Sequence, residues 1–252
     1  MTIARRLQSE LIPGEILSVQ VGMSRTAVLA RTGEGIRCGL AATLSNPEFS
    51  HHRRPSVIQA GHLHRLEYTQ LAAMVESPSY TEVSIGLATI NALLPRRPEA
   101  WLDLNAEDYL LEHGAGRKVA MVGHFPVVER LRAVAGQLWV LELKPRDGDL
   151  PAQAAPEVVP QADLVAITGT TLINHTFDGL ISLCRPGATV VMLGPSTPLS
   201  PLLFEYGLHV VSGAIVEDPQ TALLAVGQGA SLRQLRQAGC VRLVTLQKEC
   251  IP

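Results

Sequence analysis

Residues 163–197 read DLVAITGTTLINHTFDGLISLCRPGATVVMLGPST, and this stretch decides the fold. "DLVAITG" (163–169) is an apolar run halted by glycine, as expected of a strand buried on both faces. "LINHTFDGLISLC" spaces its apolar residues as a helix does, and "ATVVMLG" (188–194) is a second buried run. Strand, helix and strand in close succession form a βαβ unit, whose two strands must be parallel.

Outward from this unit the alternation continues. "RKVAMVGHF" (117–125), "LWVLEL" (138–143) and "LHVVSGAIV" (208–216) read as further strands. "PVVERLRAVAG" (126–136) is a helix with Pro126 in its first turn and Gly136 past its end. "SPLLFEYG" and "DPQTALLAVGQG" (218–229) are helical, and "NAEDYLLEHGAG" (105–116) is a helix capped by Asn105. The first hundred residues follow other rules. "EILSVQVG" (15–22), "TAVLAR" (26–31) and "GIRCGLAATL" (35–44) predict a meander punctuated by Gly22, Gly33 and Gly35. The polar "SNPEFSHHRRPS" predicts an exposed loop. Helices are expected over 63–77 and 79–94, the second ended by Pro95 and Pro98. The expected class is α/β: a small α+β domain over 1–104, then a mostly parallel, helix-covered sheet over 105–252.

Bulk properties exclude several functions. With 252 residues, 46% hydrophobic and 17% charged, the chain is long and apolar enough for a sizeable core. A net charge of −2 argues against nucleic acid and anionic membranes as partners. No apolar run has the length of a membrane span, and the N-terminus lacks a signal-peptide core, so a cytoplasmic protein is expected. Cys38, Cys184, Cys240 and Cys250 are far apart and form no CxxC pair, which argues for reduced thiols.

In an open parallel sheet, ligands gather beyond the carboxyl ends of the strands. Here those ends are "GHFP", "LELKPRDGD", "TGTTLINHT" and "GPSTPLSP". Glu142 follows Gly123 at the interval of a ribose-binding carboxylate, yet "GHFPVV" is no dinucleotide turn, so a solvated carboxylate is the alternative. His124 and His175 sit at the same edge, open to metal binding, acid–base work or plain hydrogen bonding. Gly169 with positive φ, flanked by Thr168, Thr170 and Thr171, would make an anion cradle or a helix cap, and Gly194 begins a matching ledge. The pairs His51/His52 and His62/His64 adjoin arginines, which disfavour a metal ion. Asp147 and Asp149 in "PRDGD" read as a turn.

"IGLATINALL", "VGHFP", "ELKPRDGD", "ITGTTLINHT", "GPSTPLSP" and "VSGAIVED", in that order, resemble the heavy-metal chelation family, long classed as a domain of unknown function. The resemblance implies an enolase N-terminal-like α+β domain followed by a Rossmann-like domain, with a site in the cleft between them. It places Ser84, Gly86 and Asn91 opposite His124, Glu142, Thr170, Asn174, His175 and Ser196. With Gly123, Thr168, Gly169, Thr171 and Gly194 from the strand ends, these make up the expected ligand cleft, His124 and His175 being its metal ligands. It implies a transition metal ion, or a small metal-chelating molecule, as the ligand. An enzyme using a dinucleotide or S-adenosylmethionine at the same edge is the alternative. Whether there is catalysis stays open at this level, and a homodimer is compatible with the sequence.

Overall fold

The computed structural model describes residues 2–46 and 54–248. Helix α1 (Ile3–Leu7) precedes strands β1 (Gly14–Val21), β2 (Arg25–Thr32) and β3 (Gly35–Ala42), and helices α2 (Tyr68–Ala72) and α3 (Tyr80–Leu93) follow. The second half runs α4 (Ala106–Gly114), β4 (Lys118–Val122), α5 (Val128–Val134), β5 (Gln137–Glu142), β6 (Leu150–Pro151), α6 (Ala155–Val158) and β7 (Leu164–Thr168). It ends with α7 (Phe177–Leu183), β8 (Thr189–Leu193), α8 (Leu202–Glu205), β9 (Val210–Val216), α9 (Pro219–Gly227), α10 (Leu232–Gln237) and β10 (Val241–Gln247).

Among the described residues, β1–β2–β3 form a three-stranded antiparallel sheet and the rest a seven-stranded sheet ordered β10-β9-β8-β7-β4-β5-β6. Every pairing in the larger sheet is parallel except β10 with β9. From β4 the chain moves outward through β5 and β6, then returns to the other side of β4 as β7. The order therefore reverses between β4 and β7, where an open sheet leaves its crevice.

The two sheets share one core. On β2, Val28 and Ala30 face the large cluster that contains α3, while Ala27 and Leu29 pack with Ala222 and Val226 of α9 and Leu235 of α10. An antiparallel strand usually alternates apolar and polar. Here both faces are covered, so β2 reads as a continuous apolar run. Helix α3 is buried along nearly its whole length, its polar Thr81, Glu82, Ser84 and Thr89 included. Gly39 permits this depth: a Cβ there would stand 2.1 Å from the Ala88 carbonyl oxygen and 2.2 Å from the Ala92 amide nitrogen.

Several sequence expectations need correction. The helix expected over 63–77 is three pieces: a 3₁₀ turn at Leu63–Arg65, α2, and a second 3₁₀ turn at Ala73–Glu76. Leu66 and Glu67 are extended, and Glu67 caps α2 in a reciprocal pair with Gln70. The helix expected over 172–184 is also broken. Gly169–Leu172 is a 3₁₀ turn, His175 has φ 58°, and α7 starts only at Phe177. The short β6, helix α10 and the antiparallel β10 were not foreseen. His51, His52 and Cys250 lie outside the described residues.

Candidate functional site at the carboxyl edge of the parallel sheet

The four polar strand ends have different fates. The end of β8 is sealed against the N-terminal half. The Ala42 amide donates to Ser196 Oγ at 2.8 Å, and Asn91 Nδ2 donates to the Leu40 carbonyl at 2.8 Å and the Ser196 carbonyl at 3.3 Å. Ser196 is 1% exposed. The Ser84 hydroxyl donates to the Tyr80 carbonyl at 2.7 Å and accepts from the Leu44 amide at 3.3 Å. Gly86 lies against the 3₁₀ turn below α3, where a Cβ would come 2.5 Å from the Val75 amide nitrogen.

The β7 end is held by its own hydroxyls. Thr168 Oγ1 accepts from the Thr170 amide at 3.3 Å and shares a hydrogen bond with Thr170 Oγ1 at 3.1 Å, and Thr171 Oγ1 donates to the Thr168 carbonyl at 2.8 Å. Thus the threonines cap their own turn. Gly169 is absent from the positive-φ glycines, which correct the expectation to Gly123 (φ 101°) and Gly194 (φ 112°). Its reason is crowding instead: a Cβ would sit 2.7 Å from both the amide nitrogen and Oγ1 of Thr197. Asn174 Oδ1 accepts from the Thr176 amide at 3.3 Å and its hydroxyl at 2.6 Å, a local turn that stops the helix from starting earlier. His175 is exposed, with its ring edge-on to Tyr80 at 6.3 Å between centroids. Its Nε2 lies 3.1 Å from the Ser77 carbonyl, which can only accept, so Nε2 carries the proton.

The β4 and β5 ends lie to one side of that reversal point. The His124 amide donates to Glu142 at 2.7 Å, and the Leu143 amide donates to the other Glu142 oxygen at 3.1 Å. Both carboxylate oxygens are therefore engaged by main-chain amides. The His124 ring is oriented by Asp149: Nδ1 lies 3.0 Å from one carboxylate oxygen and 3.3 Å from the other. The Asp149 side chain is fully buried while that of His124 is 18% exposed. Asp149 is fixed in turn by the Arg146 amide at 3.1 Å, in a tight turn closed by its own amide donating to the Arg146 carbonyl at 3.0 Å. Gly148 supplies the left-handed conformation of that turn, φ 82°.

A carboxylate on Nδ1 makes it the protonated nitrogen of a neutral imidazole and leaves the lone pair on Nε2. Among the described residues Nε2 has no hydrogen-bond partner. The Phe125 ring packs against the turns after β4 and β8: positions for a Cβ on Gly123 and Gly194 fall 3.3 Å and 4.0 Å from it. It occupies space where a pyrophosphate would have to approach. Sequence reasoning missed Asp149 as the histidine's partner, while the obstruction by Phe125 was readable from "GHFPVV". The DGD triplet after β5 was the available signal, though only the fold shows that it reaches back to β4.

His124 and His175 thus rest on separate partners. Among the described residues, no group of three or more His, Cys, Asp and Glu could hold a metal ion. His62 and His64 are exposed. Cys38 and Cys240 are buried and Cys184 half-buried, all as free thiols. Burial pushes the Cys38 thiol up to about 12 and that of Cys184 up to about 11, so neither offers a thiolate near neutral pH. No helix among the described residues is long and apolar enough to cross a membrane.

Comparison with known proteins gives the family and the fold. Residues 105–245, more than half of the chain, match the DUF364 family, described as "Putative heavy-metal chelation". The chain belongs to the DUF364 family. Residues 4–94 match a companion family, DUF4213, which carries the same description. A DUF364 protein of unknown function from Desulfitobacterium hafniense is 26% identical, with a TM-score of 0.76 and 98% of each chain covered. Another from Pyrococcus horikoshii is 18% identical and shares the fold, with a TM-score of 0.80 over 97% of this chain and 98% of that one. An uncharacterized protein of Methanocaldococcus jannaschii is 29% identical over 165 residues, a match spanning 60% of this chain and 61% of the relative.

Proposed function

We propose that this DUF364 protein binds a metal ion already held by a small chelating molecule, with His124 Nε2 as the protein's own ligand to the metal. The observation that carries the reading is the His124–Asp149 pair. Metal-binding histidines characteristically donate their second nitrogen to a carboxylate, which fixes the ring and raises the basicity of the ligating atom. The residues fit a single anchor and not a complete site, since no larger group of metal-binding side chains lies close together among the described residues. A chelator that brings most of the donors resolves that shortage. It also agrees with the family description, in which chelation is the theme.

Other residues at the edge then serve the chelator. Thr168 and Thr170 offer hydroxyl oxygens beside the crevice. Glu142 holds the His124 main chain. His175 has Nδ1 as its lone-pair nitrogen, and its tie to Ser77 sets it on the α3 side of the edge. The metal is cargo in this reading, and no reaction is assigned to it.

Calorimetric titration of untagged protein with zinc(II) and with zinc(II) iminodiacetate tests the proposal. The chelate binds and the His124→Ala protein loses at least about tenfold in affinity, as expected for removal of a ligand whose outer-shell partners alone matter that much. Equal binding by wild type and His124→Ala, or no binding of either probe at micromolar concentration, contradicts it.

A further inference from the structure

A cavity lies away from the His124 site, where the chain leaving α3 meets the loop between β8 and α8. It measures about 210 Å³, and Leu94, Pro95, Leu199 and Pro201 form its apolar walls. Its polar groups are Glu10, Arg97 and Ser200. Ser200 is 2% exposed; its hydroxyl donates to the Glu10 carboxylate and accepts from the Leu202 amide at 3.1 Å. This fixes Glu10 and leaves its second oxygen without a partner among the described residues. The Arg97 guanidinium likewise has no partner among them.

Opposite charges that line one cavity without meeting each other leave room for a ligand that meets both. The adjoining void, of about 20 Å³, shares the walls Leu94, Pro95 and Leu199 and has room for one water. It is lined by Asn91 and Thr197, whose Oδ1 and Oγ1 atoms are buried without a hydrogen-bond partner. Buried polar atoms are rarely left so, and a water or ligand group there would satisfy them. The larger space falls below the roughly 300 Å³ at which drug-sized sites begin, which favours a ligand much smaller than a nucleotide.

We propose that this cavity binds a small aliphatic amino acid: carboxylate toward Arg97, ammonium toward Glu10, alkyl chain against Leu94, Leu199 and the prolines. The proposal is independent of the metal reading, since it uses none of the residues around His124.

The test is ligand-detected NMR titration of the intact chain with L-leucine, 4-methylpentanoate and 3-methylbutylamine. The two analogues lack the ammonium and the carboxylate respectively. Leucine binds, and each analogue binds at least about tenfold more weakly, the worth of one charge-assisted contact. Arg97→Ala, a change at an exposed side chain, weakens leucine and abolishes its advantage over the amine. Glu10→Gln, which still accepts from Ser200, weakens leucine and abolishes its advantage over the acid. Absence of leucine binding at millimolar concentration, or unchanged binding in both variants, overturns the proposal.

Discussion

The β4–β5 and β8 ends of the same sheet edge are built from similar polar residues, yet one stays accessible and the other is sealed. At β8 the hydroxyl and carbonyl of Ser196 are consumed by Ala42 and Asn91 of the N-terminal half. At β4–β5, Glu142 and Asp149 spend their oxygens on neighbouring main-chain amides and on the His124 ring, and the outcome is an imidazole with one nitrogen held and one free. The lesson is that polar strand ends in sequence do not by themselves mark a ligand site. What separates glue from chemistry is whether the partners leave a reactive atom unpaired.

Three changes should break or sharpen this contrast. The largest effect is expected at the sealed side. Gly39→Ala drives a methyl group into the main chain of α3, and neither partner is a flexible side chain. It should lower unfolding free energy by about 3 kcal/mol or more in urea titration, at the upper end for overpacking. Ser196→Ala follows. It strands the buried Ala42 amide and should cost about 1–3 kcal/mol in the same measurement, without altering chelate affinity. At the accessible side Asp149→Asn should do the reverse, weakening the zinc chelate about 10–100-fold, with a smaller change in stability than Gly39→Ala.

The smallest effect concerns two aspartates just outside the strands, Asp163 before β7 and Asp218 after β9. The Lys118 amide, followed by the Arg185 guanidinium, holds the Asp163 carboxyl below the ordinary aspartate range, and the Thr221 hydroxyl and amide do the same for Asp218. A lowered folded-state value means stability fully present above the unfolded aspartate value and lost as pH falls through the lowered one. Melting temperature should therefore drop slightly further on acidification below about pH 4 in wild type than in an Asp163→Asn, Asp218→Asn protein. The double variant should start lower near neutral pH. Asp218 is exposed and Asp163 only partly buried, so solvent screens both and the difference is small.

The parallel half of the fold was legible because doubly covered strands write themselves as apolar runs, and β4, β5, β7, β8 and β9 all do. Strand β10 was not. It lies at the sheet edge, pairs antiparallel with β9, and the exposed Arg242 and buried Thr245 interrupt its apolar run. The broken helices were misread because apolar spacing survived across the breaks. Glu67 with Gln70 and Asn174 with Thr176 carried the stop signals, but a capping pair looks like ordinary helix composition until the backbone is known. At the site, His124, Glu142 and the threonine turn could be placed from strand ends alone. Their hydrogen-bond roles could not, because Asp149 and Ser196 act through segments 25 residues or more than a hundred residues away.

The central claim is that Asp149 fixes His124 with Nδ1 protonated and Nε2 open to a metal chelate. Long-range proton–nitrogen correlation spectra of the histidine rings near neutral pH test it most directly. The account predicts a His124 ring protonated at Nδ1, whose Nε2 resonance alone shifts strongly on addition of zinc(II) iminodiacetate, and an Nε2-protonated His175 that stays in place. A His124 ring protonated at Nε2, or a chelate that moves His175 and leaves His124 unchanged, would contradict it.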